Sequence, residues 1–238
     1  MDVFYWPTME LILWGFVSQF LERTALNAPG VASFLLGGVI LWGVFITSQH
    51  DVTIAFLEDI WSRNIINLFV SPLTVWEYLL GGIAVGVLKT FVIIGYISAL
   101  AGLLYHFNLF TLGFSLIPFI ANLFLFGIAA GIFISAIIFR YGTETQILAF
   151  SLGFLLQPIS AVFYPLAILP SFLQFIAWSI PATHVFEGMR GVFAGSGFSA
   201  LHFWWALVLN LVYLILASIF YARMFRRVRE LGLLSKVE

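Results

Sequence analysis

Glu10 and Lys89 stand inside long apolar runs of this chain. An ionised side chain at the centre of a bilayer costs about 3 kcal/mol on insertion scales, so such residues face a bundle interior or water. They are therefore candidates for contact with something moving through the protein. They are equally candidates for a structural contact with each other or with backbone. A second set of candidates is Pro165, Pro170, Pro181, His184, Glu187 and Arg190, three helix breakers and three polar side chains. His184 and Glu187 are three residues apart, a spacing at which two side chains on a helix could share a metal ion. Two ligands without a third favour an ordinary helix-surface hydrogen bond instead, so no metal site is expected. Glu187 and Arg190 read as a polar pair.

Covalent chemistry finds little support. There is no His-Glu-x-x-His, no nucleophile elbow and no pair of intramembrane carboxylates. Lys89-Thr90 lacks the glycine spacing of a phosphate cradle. With no Cys in the chain, thiol chemistry and Cys-ligated metals are excluded. The chain needs no cofactor of its own, and any work driven by ATP requires an ATPase on another chain.

The elements that position these residues follow from composition. Of the 238 residues, 62% are apolar and 9% charged, against about 25% charged in soluble domains. Such a chain cannot coat a globular surface, and with a net charge of −1 it has no basic face for nucleic acid. It reads as a single, all-α, polytopic membrane domain over 1–238. Apolar runs at about 3–21, 31–48, 78–104, 112–139, 147–164 and 203–222 are long enough for six spans. The first run has no basic leader or small-residue cleavage site, so it is a span and not a signal peptide. Between spans two and three, residues 54–70 place Leu57, Ile60, Trp61, Ile65 and Leu68 on one stripe. Glu58, Asp59, Ser62, Arg63 and Asn67 lie opposite. That pattern predicts an amphipathic helix at a membrane interface, ended by Ser71-Pro72. Residues 166–202 are apolar but interrupted by Pro and Gly, and their pieces are too short to span. They predict short re-entrant helices.

Six spans put both termini on one side. That side holds seven of the ten Lys and Arg: Arg63, Arg140, Arg223, Arg226, Arg227, Arg229 and Lys236. Basic residues accumulate in cytoplasmic loops, so the termini and residues 51–75 are expected inside and residues 166–202 outside. Trp6, Trp42, Trp76, Trp178, Trp204 and Trp205 sit near span ends, as an aromatic belt requires. Gly82-x-x-x-Gly86 and Gly127-x-x-x-Gly131 permit close helix approach, expected within one chain more than at a seam between copies.

Glu58-Asp59, Arg63-Asn64 and Ser71-Pro72 after span two resemble the pattern of the ABC transporter type-2 permeases. So do Gln157-Pro158, Phe163-Tyr164-Pro165, Leu169-Pro170, Pro181-Ala182-Thr183-His184 and Glu187-Gly188-x-Arg190 between spans five and six. The resemblance runs from Phe4 to about Arg229. It implies a permease half of an exporter in the cell (inner) membrane, working as a dimer in the lipid bilayer. Two copies of a cytoplasmic ATPase would bind ATP and Mg. By resemblance, Glu58, Asp59, Arg63, Asn64, Ser71 and Pro72 belong to the ATPase-coupling helix. Pro165, Pro170, Pro181, His184, Glu187 and Arg190 belong to the external gate region. One departure is that Met1-Asp2 abuts the first span, where relatives carry a basic amphipathic helix. Glycan, lipid and drug-like cargo all remain open. The alternatives are a transporter driven by an ion gradient through Glu10 and Lys89, and a membrane-embedded lipid-modifying enzyme.

Overall fold

The structure, a computed structural model, describes residues 2–24, 31–62 and 75–230. Every regular element among them is helical, as a lipid medium demands, because helices satisfy their own backbone polar groups. Five helices are long: α1 (Asp2–Thr24), α2 (Val31–Trp61), α3 (Val75–Tyr105), α4 (Leu116–Tyr141) and α8 (Ala200–Glu230). Three are short: α5 (Ile147–Ile159), α6 (Ser171–Trp178) and α7 (Pro181–Phe193). 3₁₀ segments precede α4, α5 and α6, at Leu109–Ser115 (kinked at Gly113), Thr143–Gln146 and Leu166–Ile168.

Among the described residues, four stretches are long and apolar enough to cross a membrane: Ala32–Trp61, Leu80–Tyr105, Leu109–Tyr141 and Ala200–Val228. The other two expected spans differ. α1 has 23 residues, but Glu10, Gln19 and the Tyr5-Trp6-Pro7 step make it less apolar. α5 has 13 residues, a rise of only about 20 Å against a hydrocarbon core of about 30 Å. It stops early because Pro158 sits in its last turn and Ala161 takes a left-handed backbone, φ 54°. The apolar run 147–164 is thus a helix only as far as Ile159.

Span two also differs from its expected end at Ser48. α2 runs unbroken from Val31 to Trp61. Gln49-His50-Asp51 does not stop it, because polar groups there find partners inside the bundle. The Gln49 amide donates to the Ala149 carbonyl and to Thr53 Oγ1, both at 3.2 Å, and Thr53 Oγ1 donates back to the Gln49 carbonyl at 2.9 Å. The first residues of the expected interfacial helix, 54–61, are therefore the last two turns of α2. Their apolar stripe faces protein: Phe56, Leu57 and Ile60 pack on Ile134, Ile138 and Phe139 of α4, Ala149 of α5 and Val228 of α8. The same cluster carries α8 beyond the expected span end at 222, since Phe225 and Val228 have a core to join. The rest of the expected helix, from Arg63 on, lies outside the described residues.

α2 and α4 form the centre of the bundle, with α3 and α8 mostly exposed on its flanks. Glycine allows the central contact. A Cβ at Gly127 would lie 2.7 Å from the Phe45 carbonyl oxygen and collide with Ser48 Oγ; one at Gly131 would lie 2.9 Å from the Gln49 carbonyl oxygen. The Gly127-x-x-x-Gly131 pair is thus a seam within the chain. Gly82 faces open space. Trp42 is not part of an aromatic belt: it is fully buried, 4.6 Å from the Phe45 ring and 6.1 Å from Phe186. Exposed Trp6, Trp178, Trp204 and Trp205 remain candidates for that belt.

Candidate functional site

Three polar constellations are set into this apolar bundle. The first is an ion pair between flanking and central helices. Lys89 Nζ of α3 donates to Asp51 Oδ1 of α2 at 2.8 Å. The Lys89 side chain is 45% exposed and Asp51 only 11%, so the carboxylate is enclosed while the ammonium reaches the uncovered face of α3. Asp51 can approach α3 because residue 86 is glycine: a Cβ there would be 3.2 Å from Asp51 Oδ2. Lys89 and Glu10 are not brought together. Glu10 is half-buried on α1, with no ion-pair partner among the described residues. The intramembrane charge of Lys89 is thus structurally paired, and its partner is a residue that sequence reading placed at a span end.

The second constellation closes the end of the bundle that carries α6 and α7. Pro170 precedes α6 and Pro181 opens α7 at its first turn, where a missing amide costs nothing. Pro165 precedes the 3₁₀ turn Leu166–Ile168. α7 is buried on most of its surface, with Val185, Phe186 and Met189 in the main core. Glu187 and Arg190 project from it toward the chain that leaves α5. Arg190 Nη2 donates to Glu187 Oε1 at 2.7 Å, and the Leu166 amide donates to the same oxygen at 2.8 Å. Arg190 Nη1 donates to the Ala161 carbonyl at 3.0 Å. The guanidinium also lies over Phe34 of α2, 4.7 Å from the ring centre. One ion pair thereby fixes a left-handed residue, a turn and two helices. Hydrogen bonds to charged groups contribute about 1.5–3 kcal/mol each, more than neutral ones.

His184 does not join Glu187. It turns to His202 of α8, a residue that sequence reading left out. The two Nδ1 atoms lie 3.4 Å apart, and His184 Nε2 lies 3.0 Å from the Trp178 carbonyl oxygen. Burial holds the His184 imidazole below the usual histidine range. Trp178 and Trp205 flank the pair, and an open cleft lined by these four rings and Leu201 adjoins it. Among the described residues no three His, Asp or Glu side chains gather to hold a metal ion.

The third constellation is amide chemistry between α4 and α8. Asn210 Nδ2 donates to the Asn122 carbonyl at 2.9 Å and to Asn122 Oδ1 at 3.0 Å, while Asn122 donates to the Pro118 carbonyl. A lone amide in the middle of each of two apolar runs was the available signal for this pair.

At the opposite end of the bundle from α7, Glu58 is exposed and Asp59 half-buried on the last turns of α2. Leu57 and Ile60, between and beyond them, are buried. Arg140 closes α4 nearby, and α8 presents exposed Arg223, Arg226 and Arg227. Arg63, Asn64, Ser71 and Pro72 lie outside the described residues.

A family model described as ABC-2 family transporter protein matches residues 18–225. The match begins inside α1 and ends inside α8, taking in all three constellations. No curated protein matches the chain.

Proposed function

Because the chain belongs to the ABC-2 family of transporter proteins, we propose that it is the membrane-spanning subunit of an ATP-driven exporter. Two copies form the substrate path between them. A separate cytoplasmic ATPase binds ATP and Mg and drives the copies between conformations. α1, and α5 together with the buried chain that follows it, Ser160 to Val162, complete six crossings of the inner membrane. The end of α2 and the residues after it, with Glu58, Asp59, Arg63, Asn64, Ser71 and Pro72, dock on the ATPase. Both termini face the cytoplasm.

The observation that carries this reading is one apolar bundle whose two ends carry different polar chemistry, while the polar groups between them, Lys89 with Asp51 and Asn122 with Asn210, are satisfied by one another. One end exposes Glu58 and the α8 arginines around a packed apolar knot. Force applied there is transmitted, because the knot ties α2, α4, α5 and α8 together. The other end is plugged by α7 and held by Glu187 and Arg190. α6 beside it leaves Phe172, Phe175 and Trp178 exposed, which suits a short helix dipping into the outer leaflet without crossing. Charge reversal of Asp59 and Arg63 together tests the docking assignment. ATPase co-purification is expected to fall while the permease stays folded. Unchanged binding and transport would overturn it.

A further inference from the structure

One stripe of α8 is covered by no other described element. Trp205, Val208, Val212, Leu216 and Ile219 are exposed on it, at the three- and four-residue spacing of a single helix face. Arg223, Arg226 and Arg227 continue that face and are also exposed. We propose that the stripe is a docking face for an anionic phospholipid, with the three arginines holding its phosphate headgroup.

Three observations support the site. The first is register. From Trp205 to the arginines the helix rises about 27–33 Å, against a hydrocarbon core of about 30 Å. With the Trp205 ring at one membrane interface, where indoles concentrate, the three guanidinium groups fall in the opposite headgroup layer. The second is direction. Val228 packs into the apolar knot with α2, α4 and α5. At about 100° per residue, the three arginines sit on the side of α8 turned away from Val228. They therefore continue the lipid-facing stripe and not the protein-facing one. The third is charge. Among the described residues no ion pair takes up any of the three, although Glu230 is exposed one turn beyond Arg226. Guanidinium groups match phosphate oxygens with paired, charge-assisted hydrogen bonds.

Other occupants fit less well. The ATPase contact is proposed on α2, beyond the knot from this stripe. A second copy, related by a twofold axis along the membrane normal and packed on the same stripe, would set three cations against three cations. Lipid meets both halves of the face, with acyl chains on Val212, Leu216 and Ile219 and the headgroup on the arginines. Assignment of that headgroup to the inner leaflet rests on the proposed orientation; the lipid contact itself does not.

Full-length protein in neutral detergent is titrated with phosphatidylglycerol and, separately, with phosphatidylcholine of the same chains. Retained lipid is read by native mass spectrometry. The wild-type chain is expected to prefer phosphatidylglycerol by about tenfold, since each basic residue near an anionic headgroup layer strengthens attraction severalfold. The triple variant Arg223→Gln, Arg226→Gln, Arg227→Gln is expected to hold the two lipids equally. Arg23→Gln, exposed at the far end of α1, is expected to keep the preference. The three arginines are exposed, so the unfolding midpoint in phosphatidylcholine should not move; if the triple variant does not fold, Arg226→Gln alone carries the test, with a reduced preference expected. Equal retention of both lipids by the wild-type chain, or a preference that survives in the folded variant, overturns the proposal. Loss of a co-purifying ATPase with the lipid preference intact gives the arginines to a protein partner and overturns it as well.

Discussion

Lys89 shows how a single charge is kept at membrane depth. Its ammonium meets Asp51 at 2.8 Å, and the glycine at 86 lets the carboxylate come close. Removing one partner leaves the other unpaired, whereas removing both leaves neither. Lys89→Met is therefore expected to destabilise the protein by about 1–2 kcal/mol, less than for a fully buried pair because Lys89 is partly exposed. Asp51→Asn should cost a similar amount, and the double variant less than the sum. Denaturant unfolding of the four proteins in micelles checks this, and simple additivity would mean that the pair is not coupled. The sequence made the need for a partner at Lys89 legible, because an unpaired intramembrane cation is costly. It did not reveal Asp51. Three adjacent polar residues, Gln49-His50-Asp51, have the appearance of a span end, and only tertiary partners show why the helix continues. His202 was missed for a related reason: its partner is 18 residues away, and no local period links them.

At the scale of elements, close packing and latching decide which substitutions matter. Gly131→Ala puts a methyl group 2.9 Å from the Gln49 carbonyl oxygen and 2.7 Å from Val52 Cβ, both on the rigid centre of α2. Overpacking of this kind costs about 1–3 kcal/mol. Gly82→Ala meets open space and gains helix propensity, so its stability is expected to be unchanged or higher. Equal effects of the two variants in the same unfolding assay would contradict the seam between α2 and α4. Arg190→Ala releases the Ala161 carbonyl and takes the cation from Glu187, leaving the Leu166 amide on its Oε1. Transport is expected to lose its coupling to ATP, with hydrolysis persisting, while the amount of assembled protein stays near normal. Loss of assembly with normal coupling in the remaining protein would make the latch purely structural. Proline spacing announced two short helices here, and α6 and α7 occupy that stretch. The stripe at 54–70 was legible as amphipathic, but amphipathicity does not distinguish a lipid interface from a neighbouring helix. Over residues 56–60 the neighbour is α4.

For the whole molecule, orientation is the first claim to test, and a chain without Cys makes the test direct. An impermeant thiol reagent applied outside the cell is expected to label Ser196→Cys and not Ser62→Cys. The reverse pattern would invert the topology. On the proposed function, this chain moves cargo with energy supplied by another subunit. The most direct measurement of this is Mg²⁺-dependent ATP hydrolysis by the full-length protein, purified in mild detergent from the membranes that naturally hold it. A second, cytoplasmic chain is expected to co-elute and hydrolyse ATP, and both are expected to be lost with the Asp59→Lys, Arg63→Glu double variant. A folded chain that elutes without any ATP-hydrolysing partner, and whose transport instead collapses with an uncoupler, would contradict the proposed function.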